Sequence, residues 1–344
     1  MALTKRIKSI KRLLIFIVLC LGFFGIGTGL YLNSLLKPLD ASKSSQDMLI
    51  QVAPRSSSGQ VARMLEQQGI IRSATAFRLY SRYHQLDNQI KAGYYLLNPS
   101  MSTPSVLNVL VRGKTATKAF TIPEGYNLQQ ITNTLVTKGF IKEEVFKNLL
   151  AEGQFNYPFL EDAPGGSKRL EGYLFPETYN IPLDSGEKEI INVMLAGMDR
   201  QLKELDYEKR ASAMNLSVHE ALTIASMIER EARKDEERPI ISSVIHNRLG
   251  IGMRLQIDAT VEYALGGHRE KIYYKDLEVD SPYNTYKYNG LPPGPIAAPG
   301  RQSLLAAVAP DTTKYLYYVA KPDGSHAFAT TLEEHNANKR KYLD

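Results

Sequence analysis

Hydrophobic and polar positions divide this chain into one long apolar run and a series of short amphipathic pieces. From Leu13 to Leu32 twenty residues pass without a charge, LLIFIVLCLGFFGIGTGLYL. At about 1.5 Å per residue they span a hydrocarbon core of roughly 30 Å as a helix. A transmembrane helix is therefore expected over 13–35, after a tail at 1–12 and before a polar linker at 36–48 containing KPLDASKSSQDM. Folded sequence begins near Leu49. Residues 50–79 and 120–149 share a pattern at an offset of 70: a β-like run (LIQVA; FTIP), a polar turn, a helix, then a glycine with an apolar residue beyond it. Val61, Leu65, Gly69 and Ile71 stand beside Ile131, Leu135, Gly139 and Ile141. Two similar βα units built by common rules would read the same way as a true internal repeat.

Further along, periodicity predicts a helix at 74–83, a strand in AGYYLLN, and helices near 104–111, 187–205, 217–234, 236–249 and 301–308. A strand in KYLYYVA and a helix from Leu332 close the chain. No glycine-rich phosphate loop follows any strand, so the expected class is mixed α+β rather than a doubly wound sheet. The divisions are a small β/α module at 49–115 and a larger α+β domain at 116–344.

Charge changes the picture only at the N-terminus. The formal net charge is +6, and Lys5, Arg6, Lys8, Lys11, Arg12 and Lys37 carry six positive charges with no acid before Asp40. The rest is neutral overall, which removes the basic stripe that nucleic-acid binding needs. Five basic residues before the apolar run place the N-terminus in the cytoplasm and the bulk of the chain outside. The one cysteine, Cys20, falls inside that run, so the exported part has no disulfide.

The candidate chemistry lies in ALTIASMIEREAR, 221–233. With Ala221 at zero, Ala232, Ala225 and Leu222 fall at about 20°, 40° and 100° on the wheel, Glu229 at about 80° and Glu231 at about 280°. Glu229 thus points into the apolar arc, whereas Glu231 lies beyond its edge. Burial of an acid disfavours its charged form, which suits a general acid for a glycosidic oxygen. The competing reading is an ordinary i,i+4 ion pair between Glu229 and Arg233. His246, His268, His326 and His335 have no zinc-ligand spacing, and no cofactor or metal is expected.

The segments EGYLFPETYN (171–180), ASMIEREA (225–232), HNRLGIGMRLQIDATVEYALG (246–266), YNTYKYNGLPPGPIAAPG (283–300) and YLYYVAKPDGSHAFATTLEEHN (315–336) together resemble the YceG-like, MltG-type endolytic murein transglycosylases. The module at 49–115 is similar to a LysM-like carbohydrate-binding module. The resemblance implies Glu229, first acid of an A-S-x-x-E-x-E motif, as the catalytic residue. It implies cleavage of the MurNAc–GlcNAc bond of peptidoglycan strands, with closure of the MurNAc C6 hydroxyl on C1 to give 1,6-anhydroMurNAc ends. One carboxyl group can suffice because the nucleophile belongs to the same sugar.

Asn247, Gln256, Asp258, Tyr283, Asn284, Thr285 and Tyr286 are candidates to line the substrate groove, tyrosines and amides being suited to sugars. Structural roles compete: an Asx-turn at Asn284, a helix cap at Asp258. Glu171 and Glu177 are expected to brace a turn, and GLPPGPIAAPG (290–300) to form a rigid groove wall. The expected setting is the bacterial inner (cytoplasmic) membrane, single-pass, with the catalytic domain extracytoplasmic. Peptidoglycan strands, the membrane and cell-wall synthesis proteins are the expected partners. Two other readings are a noncatalytic peptidoglycan-binding or divisome scaffold and a hydrolytic muramidase using Asp258 as second acid.

Overall fold

The computed structural model describes residues 16, 19, 22, 23, 25–40, 46–267, 269 and 272–343. The basic tail, part of the expected membrane helix, and His268 lie outside these. Residues 25–35 are helical; among the described residues no helix is long and apolar enough to cross a membrane. The chain forms two compact units, one ending at Lys118 and taking back Ile181–Asp184, the other holding Ala119–Asn180 and Ser185–Asp344.

In the first unit β1 (Met48–Val52) pairs antiparallel with β2 (Gly93–Leu97), Met48 opposite Leu97 and Val52 opposite Gly93. Alternation sends Ile50, Val52, Tyr95 and Leu97 to one face. Helices α1 (Ser58–Gln67), α2 (Ala74–Tyr83) and α3 (Thr103–Arg112) cover that face with Val61, Leu65, Phe77, Leu107 and Leu110. The linker expected at 36–48 is not wholly a free stalk. Arg72 donates to the carbonyls of Pro38 and Leu39, Asp40 N–H to Pro99, and Thr103 N–H to Leu36. Composition marks such a segment as polar but cannot show which carbonyls a distant arginine will find.

The second unit opens on the same plan. β3 (Thr117–Thr121) leads to α4 (Leu128–Thr137) and α5 (Glu143–Glu152), and pairs with β4 (Thr178–Pro182). Both ends of α4 lie 70 residues beyond those of α1. Ser57 with Gln60 and Asn127 with Gln130 form matching capping boxes. Gly69 and Gly139 both take φ near +69° after their helices. The offset read from sequence is therefore a strand–helix–helix–strand arrangement made twice.

The helices α6 (Glu187–Glu204), α7 (Tyr207–Ala213), α8 (Val218–Glu231), α9 (Arg238–Gly250), α10 (Asp258–Ala264) and α11 (Arg301–Ala307) complete this unit. A hairpin of β5 (Tyr317–Ala320) and β6 (His326–Ala329) and a final helix α12 (Leu332–Tyr342) follow. α8 is the centre: Ala221, Leu222, Ile224, Ala225, Met227 and Ile228 are all fully buried, and α7, α9, α10 and α11 pack on it. Its start is fixed by a capping box between Ser217 and Glu220.

Candidate active site

One edge of α8 is read by the proline-rich loop that precedes α11. His219 Nε2 meets the carbonyl of Pro293 at 2.8 Å, Ser226 Oγ accepts the Ile296 N–H at 3.0 Å, and Glu229 Oε2 accepts the Gly300 N–H at 2.9 Å. Positions 219, 226 and 229 recur at helical spacing, so three side chains of one helix hold three backbone groups of one loop. The loop's Ile296, Ala297 and Ala298 are buried against the helix. Gly172 supports it from behind: its φ is +78°, and a Cβ there would lie 2.3 Å from Pro295 Cβ.

Glu229 sits at the end of that row. Its side chain is 7% exposed and its Oε2 lies 3.4 Å from the Arg238 guanidinium, itself 9% exposed. Arg238 is held in turn by Asp235 at 2.8 Å and Ser303 at 2.5 Å. The ion pair made by Glu229 is thus with an arginine of α9 rather than with Arg233 four residues on. A further group comes from the turn after β3. Glu124 places its carboxyl so close to Gly300 that a Cβ there would fall 2.0 Å from Oε1. The turn itself is tied to the loop by Gly125 N–H to Ala298 carbonyl (2.9 Å) and Ala298 N–H to Tyr126 carbonyl (2.8 Å). Burial first, then the charge of Glu229, pushes the Glu124 carboxyl above its ordinary value, with Arg238 pulling the other way and Asp235 adding to the rise.

Beside this cluster runs a cleft of about 200 Å³, lined by Gly125, Arg230, Glu262 and Ile296 among others. It shares Asn127, Gln129, Tyr263 and Gly266 with a second hollow of about 430 Å³ that reaches Lys168 and Glu171. Tyr263 and Tyr283 lie 4.8 Å apart there, and Lys168 Nζ stands 4.4 Å and 5.0 Å from their ring centres. A further hollow of about 440 Å³, around Phe159, Leu202 and Val218, lies at the far end of α8 from Glu229.

The residues 50–341 match the YceG-like family. The chain belongs to the YceG-like family. A Bacillus subtilis (strain 168) relative named endolytic murein transglycosylase is 39% identical over 332 residues, covering 92% of this chain and 90% of that protein. A protein of the same name from Streptococcus pneumoniae serotype 2 (strain D39) is 33% identical over 351 residues, 94% of this chain but 62% of its own length. A crystal structure of a yceG-like protein from Listeria monocytogenes superposes with a TM-score of 0.58 at 37% identity, covering 86% of this chain and 99% of that one.

Within this YceG-like chain the groove candidates separate into two groups. Asn284 and Thr285 are sealed below the surface. Asn284 Nδ2 donates to the carbonyls of Leu277 and Val279, and its Oδ1 accepts the Tyr286 N–H in the Asx-turn. Thr285 Oγ1 accepts the Ile257 N–H and bonds Thr260. Asn247 donates to the carbonyls of Thr313 and Tyr315. Gln256 holds φ +52° and gives its N–H to Thr285. Asn247, Asn284 and Thr285 thus use their side chains within the fold, Gln256 is tied to it through its backbone, and Tyr283 stands beside Lys168 and Tyr263.

Asp258 begins α10 without capping it and accepts the Tyr286 hydroxyl. It faces Glu231, whose carboxyl is pushed up to about 7, by burial first and then by the Asp258 charge, against a hydrogen bond from Tyr318 of β5 at 3.1 Å. Glu231, which the wheel put beyond the edge of the apolar arc, is nonetheless covered. A wheel records the helix's own apolar arc, and the cover here comes from β5 and α10. Glu171 lies in EGYLFPETYN as a brace: it accepts the Leu128 N–H and the Tyr263 hydroxyl, both at 2.8 Å, and burial pushes it up to about 7. Glu177 makes an exposed ion pair with Arg200.

Glu124 and Arg238 are the site residues that the sequence did not single out. The signal available was the acid–glycine step in FTIPEGYN, between a strand and a capped helix.

Proposed function

We propose that this chain is a lytic transglycosylase that cleaves the MurNAc–GlcNAc bond of peptidoglycan strands, with Glu229 as acid and then base. The observation that carries the reading is Glu229 itself: a withdrawn carboxyl at the end of the most buried helix, fixed by Gly300 N–H and Arg238, beside a cleft walled by polar and aromatic side chains. The names of the Bacillus and Streptococcus relatives support it.

The reaction asks this chain for three things. The glycosidic oxygen must meet a proton on Glu229 as its bond to MurNAc C1 breaks. Glu229, now a carboxylate, must take the proton of the MurNAc C6 hydroxyl as that oxygen closes on C1. The sugar must be held so that C6 and C1 meet before water arrives, which is an orientation effect rather than one needing a second nucleophile. Atoms and protons balance, and the acid is regenerated. Asp258, the second carboxylate that a hydrolytic mechanism would call on, accepts the Tyr286 hydroxyl and opposes Glu231.

The finer setting belongs to the same reading. The helix before the first unit anchors the chain in the cytoplasmic membrane with the N-terminus inside, consistent with exposed Phe23, Ile26 and Leu30. The first unit binds glycan as a LysM-like module, and cell-wall synthesis proteins are its neighbours. Weighing the fragments from defined glycan strands tests the chemistry: products lighter by one water than hydrolytic fragments are expected. Reducing-end MurNAc as the main product would replace the reading with a hydrolase, and full cellular function of a Glu229→Gln chain would replace it with a scaffold.

A further inference from the structure

Gly300 separates two carboxyl groups. On one side its N–H donates to Glu229 Oε2 at 2.9 Å. On the other, the Glu124 carboxyl occupies the space a side chain at 300 would need, with Oε1 2.0 Å and Cδ 2.2 Å from the missing Cβ. Glu124 is brought there by the Gly125–Ala298–Tyr126 backbone staple, so its approach is built into two segments more than 170 residues apart in sequence. Gly125 also closes on Glu229: a Cβ at 125 would touch Glu229 Cγ at 3.9 Å.

We propose that Glu124 is the partner of Glu229 across Gly300: the two carboxyl groups hold one proton between them, and Glu124 is a positioning residue that keeps it available to Glu229. The proposal rests on the transglycosylase reading of Glu229. Two carboxylates in a shielded site cannot both ionise without mutual repulsion, so one proton stays with the pair. The groups facing the pair are Arg238 of α9, which opposes the effect, Asp235 just before that helix, which adds to it, and Arg230, which lies beside Gly125 and pairs with Glu262.

Such a pair serves both steps. Before reaction the pair retains one proton, and of the two it is the Glu124 carboxyl that burial and then the neighbouring charge push up. Once that proton has gone by way of Glu229 to the leaving oxygen, repulsion between the two carboxylates favours return of the C6 hydroxyl proton to the pair. Glu124 exchanges no atom with the sugar, and the pair ends with the one proton it began with.

The test uses the full-length chain in detergent micelles as wild type, Glu124→Gln, Glu124→Asp and Glu229→Gln. Glutamine keeps the shape against Gly300 and removes the charge. With Glu124→Gln the alkaline limb of the kcat/KM profile should move to lower pH by roughly one unit, about a tenfold loss beyond the limb, with KM on the acidic side unchanged. Glu124→Asp, which retains a charge, should leave the limb near its wild-type position. A Glu124→Gln limb at the wild-type pH, whatever the rate, overturns the proposal and leaves Glu124 a packing residue.

Carboxyl-carbon NMR of glutamate-labelled protein reads the pair without turnover. Glu124 should titrate at lower pH in Glu229→Gln than in wild type, and an unmoved titration overturns the pair. If wild type yields reducing ends or no cleavage, the functional reading fails while the NMR result still decides whether the two groups share a proton.

Discussion

At the scale of the residue, the two acids of ASMIEREA have different work. Glu229→Gln keeps the hydrogen bond to Gly300 but cannot donate a proton, so strand cleavage should fall by on the order of a hundredfold or more, with an unchanged circular-dichroism spectrum. Glu231→Gln should keep most of the cleavage rate, because its carboxyl is engaged by Tyr318 and faces Asp258. Its effect belongs to stability. The folded chain keeps the Glu231 proton up to about 7, against an ordinary value of 4.5. The fold is therefore least burdened below the ordinary carboxylate range, and stability falls as pH rises from about 4.5 through 7 before levelling. Glu171 adds a contribution of the same sign. Glu231→Gln should remove one such contribution, on the order of 3 kcal/mol, so the fall in Tm between pH 5 and pH 8 should be smaller in the variant. An equal fall in both proteins would show that Glu231 ionises as readily in the fold as outside it.

At the scale of the element, the site depends on how α8 grips the 293–300 loop. Ser226→Ala leaves the buried Ile296 N–H without its acceptor, a loss of about 1–3 kcal/mol, and should lower both Tm and cleavage because Gly300 lies on the same loop. Gly172→Ala should be worse. It forces a side chain to hold φ +78° and drives a Cβ into Pro295, so a drop in Tm larger than that of Ser226→Ala is expected by thermal unfolding.

Elements of this kind were legible in the sequence. The helices at 187–204, 218–231, 238–250 and 301–307 and the strand at 317–320 lie close to where periodicity placed them, because each carries an apolar face, and the helix at 218–231 has a side-chain cap from Ser217 as well. Positions whose meaning depends on a partner were not legible. Asn284, Thr285 and Asn247 look like sugar ligands as residue types, yet their hydrogen-bonding groups are used by carbonyls and hydroxyls of the chain itself. Glu124 looks like a loop acid until Gly300 is seen to make room for it.

At the scale of the whole molecule, the chain has two units, and residues 36–40 are tied into the first of them. A fragment beginning at Leu36 should be soluble and cleave glycan strands in solution. One beginning at Asp47 loses the Leu36, Pro38, Leu39 and Asp40 contacts to Thr103, Arg72 and Pro99. Its first unit should melt at lower temperature while the second is unaffected, a difference that calorimetry of the two fragments would resolve. Identical melting of both would mean that residues 36–40 only rest on the unit.

The doubled strand–helix–helix–strand arrangement sets one backbone step in two chemical surroundings. The turn after β1 holds Arg55 at φ +62°, and the corresponding turn after β3 holds Gly125 at φ +75°. That left-handed step is comfortable for glycine and costly for arginine. The residue before it is Glu124 in the second turn and Pro54 in the first. One turn geometry thus offers a carboxyl group in one place and a side chain that cannot ionise in the other.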